Sequence, residues 1–228
     1  MDGVGRCGIT VLGLLLSAHA ASAQDMSRYR TYALASSVES ITASSGLRGE
    51  DARTVHSRPA KIQELEWRAP YVSSSAVLVD PVRTIAFSFV DDALFQIVVN
   101  YDRDRTAGLT NSDIIEMLTS SYGAPLPRSG KAPAVSSAVA PVDTMVVAQW
   151  ETPVEMMTLV RGVYSPEFQL ILVSKPLGAR ARAASREAVR LDAAEAPRRE
   201  ADERKKEAAE AIATREKTRT TNKAAFRP

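Results

Sequence analysis

The stretch from Val82 to Tyr101, VRTIAFSFVDDALFQIVVNY, constrains this chain more than any other, because apolar residues alternate on both sides of one Asp-Asp pair. Period-two alternation is the mark of a half-buried strand, and Asp tolerates the backbone of a tight turn, so the stretch is expected to be a β-hairpin turning at Asp91-Asp92. Ile85, Phe87 and Phe89 are expected on one face, joined from the second strand by Phe95, Ile97, Val99 and Tyr101. That face needs a covering layer. Val82, Val90 and Val98 then fall on the outer face, as a sticky surface or beneath a second layer.

The net charge of +2 conceals an uneven distribution. Residues 24–176 carry 14 Lys/Arg against 17 Asp/Glu, whereas 177–228 carry 14 against 9, so an acidic body precedes a basic tail. Residues 1–23 hold Arg6, an apolar run from Ile9 to Leu16, and small residues ending Ala21-Ser22-Ala23. This is the layout of a secretory signal peptide cleaved before Gln24, and its apolar run is too short to span a bilayer. Cleavage would remove Cys7, the one cysteine, leaving a product that cannot form disulfides. A periplasmic protein is therefore expected, with secretion beyond the cell as the alternative.

Along the body, Ser36 with Glu39 suggests a capping box for a short helix ending at Gly46. Arg48 to Pro59 is polar and read as loop, Lys61 to Trp67 as a strand, and Tyr71 to Pro81 as a connection. Thr110 with Asp113 caps a second helix whose apolar face is Ile114, Met117 and Leu118, stopped by Gly123 and Pro125. A proline-rich loop follows over residues 125–141. Three strands come next, Thr144 to Trp150, Val154 to Val163 and Phe168 to Val173, with Arg161 breaking the apolar face of the second. Each half runs helix, glycine, a strand ending in Trp67 or Trp150, then a hairpin whose last strand begins Phe95-Gln96 or Phe168-Gln169. The expected fold is α+β: an antiparallel sheet of about six strands, built as two helix-plus-three-strand pseudo-repeats across residues 24–176.

In the tail, 177–228, Leu177, Ala181, Ala184, Ala188 and Leu191 recur at helical spacing and could dock on the body. Pro197 is expected to interrupt that helix. From Arg198 to Lys217, 13 of 20 residues are charged, which suits a solvated helix, and the last eleven residues are expected to be disordered.

Catalytic chemistry finds little material. After signal removal His56 is the one histidine, and it lies in a polar stretch, so Cys-His and metal-histidine sites cannot be built. There is no Gly-x-Ser-x-Gly elbow and no Gly-rich phosphate loop. The closest approach to a metal loop is Asp102-x-Asp104-x-Thr106 with Asp113 at the twelfth position of a calcium loop; Ala107 stands where glycine is needed, and Arg103 and Arg105 intrude. Asp102, Asp104, Thr106 and Asp113 are the weak metal candidates, with a strand end and a helix cap as their alternative roles. No cofactor is expected. Nucleic acid is disfavoured because acids alternate with the basic tail residues and no aromatic is interleaved. Contact of the tail with an anionic surface, through Arg219, Lys223 and Arg227, stays open.

The run Gly108-Leu109-Thr110-x-x-Asp113-Ile114, ending Tyr122-Gly123-x-Pro125 and followed by three strands, resembles the helix-plus-sheet half of the β-lactamase-inhibitor-protein-like fold, as in small outer-membrane assembly lipoproteins of the SmpA/OmlA type. Tyr32-x-Leu34-Ala35-Ser36-Ser37 to Gly46 is similar, with Ala35 where glycine is usual. The resemblance implies a non-enzymatic module that binds another protein of the cell envelope, without the lipoproteins' anchoring cysteine. A small-ligand or calcium-binding protein is the alternative.

Overall fold

A computed structural model describes residues 25–70, 80–127, 144–164, 167–225 and 227. The expected signal peptide, most of the connection at 71–81 and most of the proline-rich loop lie outside the described residues. In chain order the elements are β1 (Arg28–Tyr29), β2 (Tyr32–Ala33), α1 (Val38–Ser45), β3 (Arg53–His56), β4 (Ile62–Arg68), β5 (Val82–Val90), β6 (Ala93–Tyr101), α2 (Asn111–Tyr122), β7 (Thr144–Glu151), β8 (Glu155–Gly162), β9 (Phe168–Ser174) and α3 (Lys175–Ala225). The fold is α+β. Seven strands form one antiparallel sheet in the order β3-β4-β5-β6-β9-β8-β7, with β1 and β2 as a separate two-stranded ribbon.

The hairpin forms as its pattern demands. Asp91 and Asp92 have φ of 45° and 67°, the left-handed pair that lets a two-residue turn follow the twist of its strands. Both carboxylates are used structurally: Asp91 Oδ1 accepts from the Lys61 N–H at 2.8 Å, and Asp92 Oδ1 from the Val38 N–H at the start of α1 at 3.0 Å. The turn thus ties β4 and α1 to the hairpin.

One alternation breaks. The register shifts between Ser88↔Gln96 and Phe89↔Leu94, so Leu94 enters the main core and Phe95 turns to the opposite face. The expectation that Phe95 shares a face with Ile97, Val99 and Tyr101 is corrected by this bulge, which reverses the pleat for the residue it adds. A second shift between Val82 and Thr84 puts Val82 in the main core, and Val90 is fully buried on the other side. Neither valine is part of an exposed patch.

The main core fills the sheet face covered by α1, α2 and the β1–β2 ribbon. Phe87, Phe89, Leu94, Ile97, Met157 and Leu159 lie at zero exposure within it, and Tyr32 meets Phe87 edge to face at a ring distance of 4.8 Å. Arg161 does not disrupt this face: its guanidinium stacks 4.9 Å from the centre of the Phe168 ring and hydrogen-bonds Asn111 at the start of α2. α2 has the capping box its sequence announces, Thr110 with Asp113. For α1 the cap is Ser37 rather than Ser36, its Oγ accepting from the Ser40 N–H, because the backbone of Ser36 is engaged with Leu94 of the hairpin.

Two further corrections concern the ends of the sheet and the tail. Arg53 to His56, read as loop, is the edge strand β3, which brings the expected sheet of about six strands to seven; it is too short and polar to show a pattern, and pairing with β4 creates it. α3 starts directly after β9 and is continuous through Pro197 to Ala225, where an interruption and then disorder were expected. Proline removes one N–H and crowds a carbonyl a turn back. Here the carbonyl left without its donor is that of Ala193, an exposed residue, so water can take the missing bond. Of the expected stripe the three alanines Ala181, Ala184 and Ala188 are buried and Leu177 and Leu191 are half-buried; Ala181 and Ala184 pack with Ile62, Val90, Phe95 and Leu177, and Gly178 is buried as well. Arg180 pairs with Asp91, and Arg58 with Glu195, fixing this first part of α3 to the hairpin turn and to the β3–β4 loop.

Candidate functional site

α3 covers only the turn end of its sheet face. At the other end the cross-strand register brings Arg68, Thr84, Asn100, Gln169 and Val160 into one row across β4, β5, β6, β9 and β8. These residues line a depression of about 400 Å³. Its floor carries a chain of side-chain hydrogen bonds: Gln169 Nε2 donates to Asn100 Oδ1 at 2.6 Å, and Asn100 Nδ2 to Thr84 Oγ1 at 2.8 Å. The chain ends short. Gln169 Oε1 is buried without a hydrogen-bond partner, as is Thr158 Oγ1 one row away. Buried polar atoms without partners are uncommon and are costly to keep. Charge is held in pairs at the rim, Arg68 with Glu66 at 3.1 Å and Arg83 with Glu167 at 3.9 Å.

This arrangement suits recognition. Amides and a hydroxyl in a row can exchange hydrogen bonds with a polar ligand or a peptide main chain, and mixed charges at the rim can orient it. The lining contains no histidine or cysteine.

The sequence-derived candidates lie elsewhere. Asp102 Oδ1 accepts from the N–H groups of Asp104 and Arg105, and the Asp102 carbonyl from Thr106 Oγ1, so the segment after β6 is a hydrogen-bonded turn. Asp113 Oδ2 accepts from the Thr110 N–H and hydroxyl, both at 2.7 Å, which draws its carboxyl below the ordinary carboxylate value. Among the described residues no three His, Cys, Asp or Glu side chains gather as a metal group. His56 closes β3, half-buried.

Sequence reasoning missed Thr84, Asn100 and Gln169. Each is one of a few polar residues scattered along its strand, and only the pairing of β6 with β9 reveals them as a row. A second cluster it missed is on the opposite face, where Arg30 clasps Asp80 through two hydrogen bonds of 2.6 and 2.8 Å and lies 5.2 Å from the centre of the Tyr29 ring. That bond holds the Asp80 carboxyl below its usual value. Burial raises the Tyr101 phenol well above its ordinary value and raises those of Tyr29 and Tyr122.

These shifts have a consequence at high pH. A tyrosine whose folded pKa is raised gives stability intact below the unfolded value, near 10, and lost as pH climbs beyond it. Unfolding stability should fall above about pH 10, by up to about 1.4 kcal/mol per pH unit for Tyr101, whose phenol is raised furthest. In Tyr101→Phe the fall should be shallower by about one such contribution. Urea unfolding at pH 9 to 11.5 measures it; an unchanged slope would place that phenol in water.

No family model, characterised protein or solved structure matches this chain. Among the described residues no helix is long and apolar enough to cross a membrane.

Proposed function

We propose that the chain is an exported, non-enzymatic binding module of the bacterial periplasm that engages another envelope protein through the part of the sheet face left open by α3. The observation that carries this reading is the row Arg68, Thr84, Asn100 and Gln169, a polar strip across four strands with an unanswered acceptor and paired charges at its rim. A polar face of this kind serves recognition.

The proposal includes a history for the fold, two helix-plus-three-strand halves of which α1 with β4 to β6 is one and α2 with β7 to β9 the other. Matching Phe95-Gln96 to Phe168-Gln169 equates Ile97 with Leu170 and Val99 with Leu172. Under that matching the pairs Ile97↔Leu172 and Val99↔Leu170 exchange, as a two-fold axis through Val98↔Ile171 requires. Two such halves are also what the sequence resemblance to β-lactamase-inhibitor-protein-like modules implies.

The reading is tested by capture from envelope extract with the wild-type chain and with Arg68→Glu/Arg83→Glu. Reversing two rim charges should reduce recovery of the bound partner at least tenfold, since misplacing charge opposite a complementary surface costs several kcal/mol. Arg48→Glu, on an exposed residue that precedes β3 and does not line the depression, should leave recovery unchanged. Equal recovery with all three chains would remove the rim from the contact.

The volume of the depression supports a second reading, a small polar ligand, because about 400 Å³ falls in the range of small-molecule sites. A ligand bound only by the folded chain raises its melting temperature. A thermal-shift screen of sugars, amino acids and peptides separates the two readings, and adding calcium to it tests the Asp102 to Asp113 segment.

A further inference from the structure

The sheet face accounts for the first part of α3 and leaves the rest without a role. The helix has 51 residues, about 76 Å at 1.5 Å per residue. Beyond Pro197 every described residue is exposed except Ala201, which is half-buried. An arm of about 40 Å therefore leaves the domain.

Its charges are sorted by face. Residues seven apart return to nearly the same side of a helix, so Arg198, Lys205, Ile212 and Arg219 form one column, flanked by Arg215 and Lys223. Glu200, Glu203, Glu207 and Glu210, spaced by three and four, lie on the opposite side. Two acids share the basic side and each is engaged by a neighbour, Asp202 by Lys205 at 3.9 Å and Glu216 by Arg219 at 2.6 Å. Arg198, Arg215 and Lys223 form no ion pair within 4 Å among the described residues.

We infer that the basic side of this arm lies along an anionic lipid surface. The side carries five bases against two acids, and its one large apolar residue, Ile212, is 68% exposed at the middle of the column. Long flexible cations on a straight, featureless helix match a plane of anionic headgroups, each adding to binding without needing a shaped pocket. A specific protein contact would call for large anchoring side chains such as Trp or Tyr, and residues 198–225 contain none. A symmetric pair of arms meeting through this side is disfavoured, because a two-fold axis would set it against its own copy, basic against basic. The helix lacks a broad apolar face, so it rests on the surface without inserting.

The test uses the full chain in sedimentation with vesicles. Phosphatidylglycerol vesicles should bind it at low salt and release it at about 0.5 M salt, where charges are screened within a few ångströms, and phosphatidylcholine vesicles should not bind it. R215Q/K223Q should bind phosphatidylglycerol at least tenfold more weakly. K206Q/K217Q removes the same charge from the other side and should stay within about twofold of the wild type; glutamine keeps the helix in both variants. Equal weakening by the two variants would overturn the inference, as would failure of the wild type to bind phosphatidylglycerol. Binding to polyglutamate with no binding to vesicles would overturn it in favour of an acidic protein partner.

Discussion

Trp150→Ala should cost the domain about 3–5 kcal/mol, the range for deleting a buried tryptophan. Trp150 is 2% exposed at the end of β7 and is the largest of the fully enclosed side chains in the core. Its indole also makes a bond, Nε1 donating at 2.7 Å to the carbonyl of Gly123, the residue that closes α2. Removal leaves a cavity between sheet and helix together with a carbonyl deprived of its donor. Trp150→Phe separates these, because it keeps much of the volume and gives up the bond, so its loss should be about 1–3 kcal/mol. Urea unfolding with linear extrapolation measures both. A loss below about 1 kcal/mol for Trp150→Ala would mean that α2 does not pack over the second half of the sheet.

Ala181→Asp should be destabilising by about 3 kcal/mol or more, the scale for a buried charge left without a partner. Ala181 is 2% exposed and packs with Ile62, Val90 and Ala184, apolar side chains that offer a carboxylate no hydrogen bond. The helix approaches closely here: a Cβ on Gly178, one turn earlier, would stand 3.0 Å from Val173 Cγ1. Two outcomes fit this packing, loss of the whole fold or release of α3 alone. Hydrogen exchange distinguishes them by showing whether β6 and β9 lose protection with the helix or keep it. Ala211→Asp makes the same change on the exposed arm and should stay within about 0.5 kcal/mol of the wild type. If the two substitutions cost the same, α3 is not docked.

How much of this the sequence carries depends on whether a feature is local. The hairpin at Asp91-Asp92, the Thr110 and Asp113 box, the glycine stops and the alanine stripe of α3 are legible because propensity, capping and periodicity act over a few residues. β3 was not, since a four-residue polar strand owes its form to β4. The bulge at Leu94 and Phe95 was not either, because an extra residue is visible only against its partner strand. Pro197 misled for another reason: local preference disfavours it within a helix, yet the long flanking helical runs and the hydrated surface tolerate one missing bond. The row of Thr84, Asn100 and Gln169 joins residues from both halves of the body, so no window of sequence contains it.

That row exists only if β6 lies beside β9, and the sheet, the depression and the proposed contact surface all rest on the same pairing. Nuclear Overhauser spectroscopy on the isotope-labelled chain tests it directly. Close backbone contacts between Val98 and Ile171, and contacts between the side-chain amides of Asn100 and Gln169, are the expected result. Spectra in which β6 makes contacts to β5 alone and β9 to β8 alone would show two separate sheets and contradict the account.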